Sequence, residues 1–324
     1  MTECIKIYYN GDSFKQLGDT KLSKVNQHLE NVAKELTQLM EKEGINWSKS
    51  WSGQGVPINA STKKAYQGIN FMWLSMMARH HEYNEWMTFK QAESMGFKIK
   101  PNKDMPNGKS TAQSIVFFKM MDKNKKYYND SDKQKVANGG TPMIPILKKS
   151  IVFNVSQVEG YEPKNKQVNH VKEICEKDTK MIDTYFANTG SVVESGEPMY
   201  IPSLDVIKMP SKDRFESDVA YYGTLAHEHI HWTGSKQRLN RLKTTSFGTE
   251  IYAQEELVAE VGAVFICSQL GIESTPRKDH ARYLNGWLKA IKNDSKAMLK
   301  AFNQASKAVT YINDLQQSQS IKVA

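Results

Sequence analysis

The stretch His227-Glu228-His229-Ile230-His231 constrains this chain more than any other five residues. Positions four apart lie a little over one helical turn apart, so His227 and His231 can share one metal ion if a helix runs through them. The preceding Val219, Ala220, Leu225 and Ala226 are small or apolar, as a packed helix requires. Glu228 stands on the adjoining side, where it would contact metal-held water and act as the general base. A bound metal lowers the pKa of that water to near neutrality and so provides a nucleophile at physiological pH. The pattern predicts a helix over about 217–234 with His227 and His231 as ligands and Glu228 as catalytic residue.

Two imidazoles leave a third ligand to find. In gluzincin-type sites it is a glutamate on a following helix, and Glu255-Glu256-Leu257-Val258-Ala259-Glu260 is such a segment. Glu256 and Glu260 are four apart and share a face. Glu256 is read as the third ligand, and Glu260 as the acceptor that holds an imidazole N–H. Spacing alone allows the two to be exchanged. Gly262 and Ala263 would permit close helix packing beneath the site. The continuation His231-Trp232-Thr233-Gly234 also begins a metzincin pattern, but that pattern needs a histidine where this chain has Gln237. His229 lies about 200° from His227 around the helix and is read as a satisfied polar residue. Tyr221 or Tyr222, with Tyr222 preferred, precedes His227 at a distance suited to stabilising an oxyanion. His280 is too isolated to assign. Zn²⁺ is the expected ion, although the ligand set also suits Mn²⁺, Co²⁺ and Ni²⁺.

A chain of 324 residues is expected to form two domains. The boundary is placed in the polar stretch from Ser156 to Gln167, giving domains at 1–160 and 161–324. The three cysteines, Cys4, Cys175 and Cys267, are odd in number and far apart, which argues against a disulfide framework. Cys267 reads as a small core residue. No apolar run is long enough to span a bilayer, and the first residues lack the pattern of a secretory signal, so a cytoplasmic location without membrane contact is expected. The charge is uneven. Residues 1–160 hold 23 Lys and Arg against 15 Asp and Glu, whereas the remainder holds 21 against 20. A polyanion partner would suit the first half, since basic surface gains affinity by releasing phosphate counterions.

Apolar positions from Leu22 to Leu39 recur at alternating spacings of three and four, predicting an amphipathic helix that stops at Gly44. Helices are expected over about 70–79 and 88–95, the latter ended by Gly96. Strands are expected over 114–121 and 143–155, joined by a polar loop from Asp122 to Thr141, with Pro145 favouring an edge position. In the second half a helix over 169–189 precedes short strands near 191–193, 199–201 and 205–209. Helices near 252–270, 280–293 and 296–315 follow the motif helix. The fold class is therefore α+β.

The motifs together resemble the ArdC antirestriction proteins of conjugative plasmids and related mobile elements. In the second half the resemblance runs through Tyr200-Ile201-Pro202, Asp205 to Pro210, Tyr221-Tyr222, the histidine motif, Arg238-Leu239-x-Arg241 and the Glu255–Glu260 segment. In the first half it rests on Trp47 and Trp51, Pro57-x-Asn59, Tyr66-x-Gly68-Ile69-Asn70, Trp86-x-Thr88-Phe89-x-Gln91-Ala92 and Val152-Phe153-Asn154-Val155-x-Gln157. It covers about residues 22–315 and leaves out the first 20; the 122–141 loop looks like an insertion.

The resemblance implies an N-terminal domain that binds single-stranded DNA and a C-terminal zincin-like metallopeptidase domain, protecting incoming DNA from restriction. Single-strand binding needs basic groups and aromatic faces on which bases stack. Lys63, Lys64, Tyr66, Trp86 and Lys98 are the candidates, while Trp73 reads as core. A protein of the recipient's restriction machinery is the candidate peptidase substrate. The alternative is a non-enzymatic coat on single-stranded DNA with a structural or vestigial metal site; a third class is an accessory to priming of transferred DNA. The sequence does not give the oligomeric state.

Overall fold

The computed structural model describes residues 19–48, 55–101, 111–122, 143–163, 174–242, 249–273, 281–293 and 295–322. The amphipathic repeat forms one long helix, α1 (Asp19–Glu43), which buries Leu29, Val32, Leu36 and Leu39. It ends at Gly44, whose φ of +59° is easy only without a Cβ. Two shorter helices follow, α2 (Ile69–Ala78) and α3 (Phe89–Ser94). Thr88 and Gln91 start α3 with a capping box, each side chain accepting from the other's backbone N–H.

The first half also contains β1 (Ile58–Asn59), β2 (Glu85–Met87), β3 (Lys98–Ile99), β4 (Gln113–Asp122), β5 (Met143–Asn154) and β6 (Val158–Glu159). Four of them form a sheet in the order β1-β2-β5-β4, and β3 pairs with β6. β4 and β5 run antiparallel from Gln113↔Val152 to Asp122↔Met143. β5 meets β2 only at Asn154 and Phe153, so Pro145 lies where the strand has one neighbour, as its missing N–H requires. The expected loop after Asp122 lies outside the described residues.

The second half begins with α4 (Glu176–Ala187), shorter than the helix expected from Asn169; residues 164–173 lie outside the described set. A three-stranded sheet follows, with β7 (Val192–Ser195) and β8 (Met199–Ile201) flanking β9 (Val206–Met209). Then come α5 (Asp218–Thr233), α6 (Glu250–Leu270), α7 (Ala281–Asn293) and α8 (Ser295–Lys322). The architecture is α+β, and no described helix is long and apolar enough to cross a membrane.

The largest apolar core draws on both halves. Leu29, Val32, Leu36 and Met40 of α1 and Phe71, Met72 and Met76 of α2 join Val261, Val264 and Phe265 of α6 and Phe302 of α8. The ring centroids of Phe71 and Phe265 are 4.2 Å apart. Gly68 sits against α8, donating its N–H to Ser306 Oγ at 2.5 Å, and a Cβ there would come within 2.7 Å of Asn303 Oδ1. Its φ of +59° makes glycine doubly necessary. Cys267 is fully buried in this core, where burial pushes its thiol pKa up to about 12.

Candidate metal centre

Two helices build the site. α5 starts at Ser217, whose side chain accepts from the Ala220 N–H at 3.2 Å, and α6 starts at Thr249, which accepts from the Tyr252 N–H at 3.3 Å. They cross closely because Gly262 of α6 faces Ile230 of α5. A Cβ on Gly262 would lie 2.6 Å from Ile230 Cδ1. The glycine expected to permit close packing beneath the histidines is the residue that does so.

That crossing brings His227, His231 and Glu256 together. One donor atom of each lies within 4.8 Å of the others. The two Nε2 atoms face each other at 3.0 Å, and each is 3.5 Å from a Glu256 carboxylate oxygen. Ligands about 2.0–2.1 Å from a tetrahedral zinc ion stand a little over 3 Å apart, so the set has the spacing and chemistry for such an ion. Glu228 and Glu256 are almost wholly buried, at 2% and 5% exposure.

Glu260 takes a different place from Glu256. Its Oε2 is 3.8 Å from His227 Nδ1, on the far side of the ring from the converging Nε2 atoms. Glu256 thus lies beside the two Nε2 atoms and Glu260 on the Nδ1 side of His227. On His231 the corresponding nitrogen meets Glu255, with Nδ1 3.2 Å from Oε1. Burial works against charge on His231, but the carboxylates of Glu255, Glu256 and Glu228 raise its pKa to about 8. Burial likewise disfavours the Glu255 charge, yet His231 and Arg241 hold its pKa below the usual range.

Glu255 and Arg241 were not assigned a role from sequence; neither was Tyr252. Tyr252 lies one turn before Glu256 and hydrogen-bonds to it, with its pKa pushed up by burial, by Tyr283 and by the Glu256 charge. The i, i+4 relation of Tyr252 to Glu256 was the available signal. Tyr222, expected beside the site, turns elsewhere: its hydroxyl donates to Asp183 at 2.7 Å and accepts from Lys212 at 2.5 Å, and its ring stacks on Phe186. His229 is satisfied as expected. Its Nδ1 meets Leu225 O at 2.7 Å and its Nε2 meets Ser191 Oγ at 3.0 Å, while burial lowers its pKa to about 4. His280 lies outside the described residues.

The nucleic-acid candidates of the first half differ in exposure. Trp86 is a correction: it is fully buried, with its indole N–H donating to Asn84 Oδ1 at 2.8 Å, and offers no face to a base. Tyr66 is half-buried, its hydroxyl accepting from Asn59 Nδ2 at 3.0 Å. Lys63 donates to Tyr161 at 2.9 Å and lies 3.6 Å from the buried Glu85 carboxylate. Lys64 and Lys98 are exposed. Trp73 packs against the core only partly buried. Among the described residues, Phe89 and Phe117 are the exposed aromatics, at 56% and 41%, which composition could not separate from buried ones.

Known proteins share both halves. Residues 26–153 match the family model of the N-terminal domain of the anti-restriction factor ArdC, and residues 180–304 match a zincin-like metallopeptidase family. The crystal structure of the antirestriction protein ArdC of plasmid R388, solved without metal, superposes with a TM-score of 0.70 at 30% identity, covering 90% of this chain and 98% of that one. Its Mn(II)-bound structure gives 0.67 at 29% identity, covering 89% and 97%. Protein y4eC of Sinorhizobium fredii is 28% identical over 88% of this chain and 91% of its own length. A DNA primase TraC of Escherichia coli is 31% identical over 90% of this chain, which spans only 27% of that primase.

Proposed function

The chain belongs to the ArdC family of antirestriction proteins, and on that premise we propose that it binds single-stranded DNA and hydrolyses peptide bonds at the His227–His231–Glu256 site. The observation that carries the peptidase half is the convergence of two Nε2 atoms and one carboxylate at 3.0–3.5 Å inside a buried helix crossing. A divalent ion held there, Zn²⁺ or one of Mn²⁺, Co²⁺ and Ni²⁺, would polarise a peptide carbonyl and make water a competent nucleophile. Glu228 receives the proton from the attacking water on its carboxylate and passes it to the departing amide nitrogen. Glu260 and Glu255 orient the two imidazoles from behind. Tyr252 holds Glu256 in place. A protein of the recipient's restriction machinery is the substrate class that an antirestriction role suggests.

Single-strand binding is supported by the basic excess of residues 1–160 and by exposed Lys64, Lys98, Phe89 and Phe117. Replacing Glu228 by glutamine separates the activities. The variant should bind oligonucleotides and metal as the parent does, while losing hydrolysis by about 10²-fold or more. Full antirestriction by Glu228→Gln would favour the alternative, a coat on single-stranded DNA whose metal site has no catalytic part.

A further inference from the structure

Arg241 lies just beyond the histidine helix and its guanidinium is spent on the site's periphery. Nε donates to Glu255 Oε2 at 2.8 Å and Nη2 to Glu255 Oε1 at 2.8 Å, a two-pronged grip on one carboxylate. Nη2 also donates to Ile230 O at 2.7 Å, and Nη1 to Thr233 Oγ1 at 3.2 Å, so the same group is anchored to the last turn of α5. The side chains are 7% and 15% exposed, which keeps water from competing for these bonds.

The local sequence makes room for this arrangement. A Cβ on Gly234 would lie 2.9 Å from Arg241 Nη2, so the glycine after the motif leaves the space that the guanidinium occupies. The Arg241 N–H donates to Gly234 O at 2.8 Å, folding the chain back so that the side chain reaches α6. Glu255 then meets His231 Nδ1. An N–H at Nδ1 leaves the lone pair of His231 on Nε2, facing His227 and Glu256, and an anionic acceptor makes that lone pair more basic.

We propose that Arg241 and Glu255 are positioning residues that set the affinity of the site for its ion, Arg241 acting through Glu255 on His231. This rests on the metal reading above. Arg241 keeps the carboxylate aimed at His231; without it Glu255 can swing away, and His231 loses the partner that fixes its tautomer.

The test is calorimetric titration of the full-length, metal-stripped chain with Zn²⁺ and with Mn²⁺. Arg241→Gln and Glu255→Gln should each weaken binding about 10- to 100-fold. Their combination should cost little more than either alone, because both break one relay. Arg238→Gln is the control: Arg238 also clamps the end of α5, through Trp232 O at 2.6 Å, but binds Asp205 rather than the site. It should lower the melting temperature of the metal-stripped protein and leave metal affinity unchanged. Parental affinity in Arg241→Gln and Glu255→Gln, alongside loss in His231→Ala, would overturn the proposal, as would equal loss in Arg238→Gln. Should Arg241→Gln fail to fold, Glu255→Gln decides. Binding that His231→Ala does not disturb would overturn the metal reading itself and the proposal with it.

Discussion

Asn154 in the first half and His227 in the second are both polar and almost wholly buried, at 0% and 2% exposure, yet their surroundings differ in kind. Asn154 donates to Tyr83 O at 2.7 Å and accepts from the Ser156 N–H at 3.0 Å, which binds β5 to its neighbours. Asn70 does the same for β4, exchanging two bonds with the Val116 backbone, and Asn59 bonds to both Tyr66 and Gln91. These residues belong to the motifs through which the first half resembles its family, and they are structural ties. Around His227, by contrast, three electron-pair donors point at a common centre. Two imidazole nitrogens at 3.0 Å satisfy each other only when one of them carries a hydrogen; with the N–H on Nδ1 of both rings, their lone pairs call for a cation between them. Motif residues whose bonds close among themselves hold a fold together, whereas those whose bonds converge on a point invite a ligand.

The comparison is broken most severely at Trp86. If it is architecture, Trp86→Ala should cost about 3–5 kcal/mol in urea unfolding, the usual loss for a buried tryptophan. A mild loss accompanied by failure to bind single-stranded oligonucleotides would return Trp86 to the DNA surface. Gly262→Ala tests the other half. Its Cβ would press on Ile230, so we expect about 1–3 kcal/mol of destabilisation together with weaker metal binding. Destabilisation with unchanged metal affinity would mean that the crossing does not set the ligand geometry.

The histidines sharpen the contrast through pH. Burial holds His229 neutral in the fold with a pKa of about 4, whereas an unfolded histidine takes up its proton near 6.5. The unfolded state therefore binds more protons as pH falls from about 6.5 toward 4, and stability should drop there by up to about 1.4 kcal/mol per pH unit from this residue. His231 in the metal-stripped protein has the opposite sign: with its pKa raised to about 8, its contribution is full below 6.5 and is lost as pH rises through 8. Denaturant titrations of chelated protein across this range would show both. Acid sensitivity unchanged in His229→Leu would remove His229 as its source. The smallest effect belongs to the exposed lysines. Lys64→Glu and Lys98→Glu should each reduce the salt slope of single-strand binding by about 0.7 per lost phosphate contact, and an unchanged slope would exclude that lysine from the interface.

What could be read from the chain and what could not follows from the range of the interactions involved. The spacing of His227 and His231 is a property of one helix, so periodicity placed both on one face. The order of Glu256 and Glu260 depends on how α6 rolls against α5, which spacing leaves open. Arg241 and Glu255 lie on separate elements, and their grip exists only after the chain turns back at Gly234. Trp86 was misplaced because aromatic composition cannot distinguish a ring facing solvent from one whose N–H is taken up by Asn84 two residues away. Nor did the polar stretch after Ser156 announce that α1 and α2 would share a core with α6 and α8.

The account stands most directly on one calorimetric titration of the metal-stripped chain with Zn²⁺, repeated for Glu256→Ala and Glu260→Ala. We predict one ion per chain in the parent, loss of binding by at least about 10³-fold in Glu256→Ala, and a drop of only about 10- to 100-fold in Glu260→Ala. Parent and Glu256→Ala binding zinc alike would contradict the claim that these two helices meet in order to hold an ion.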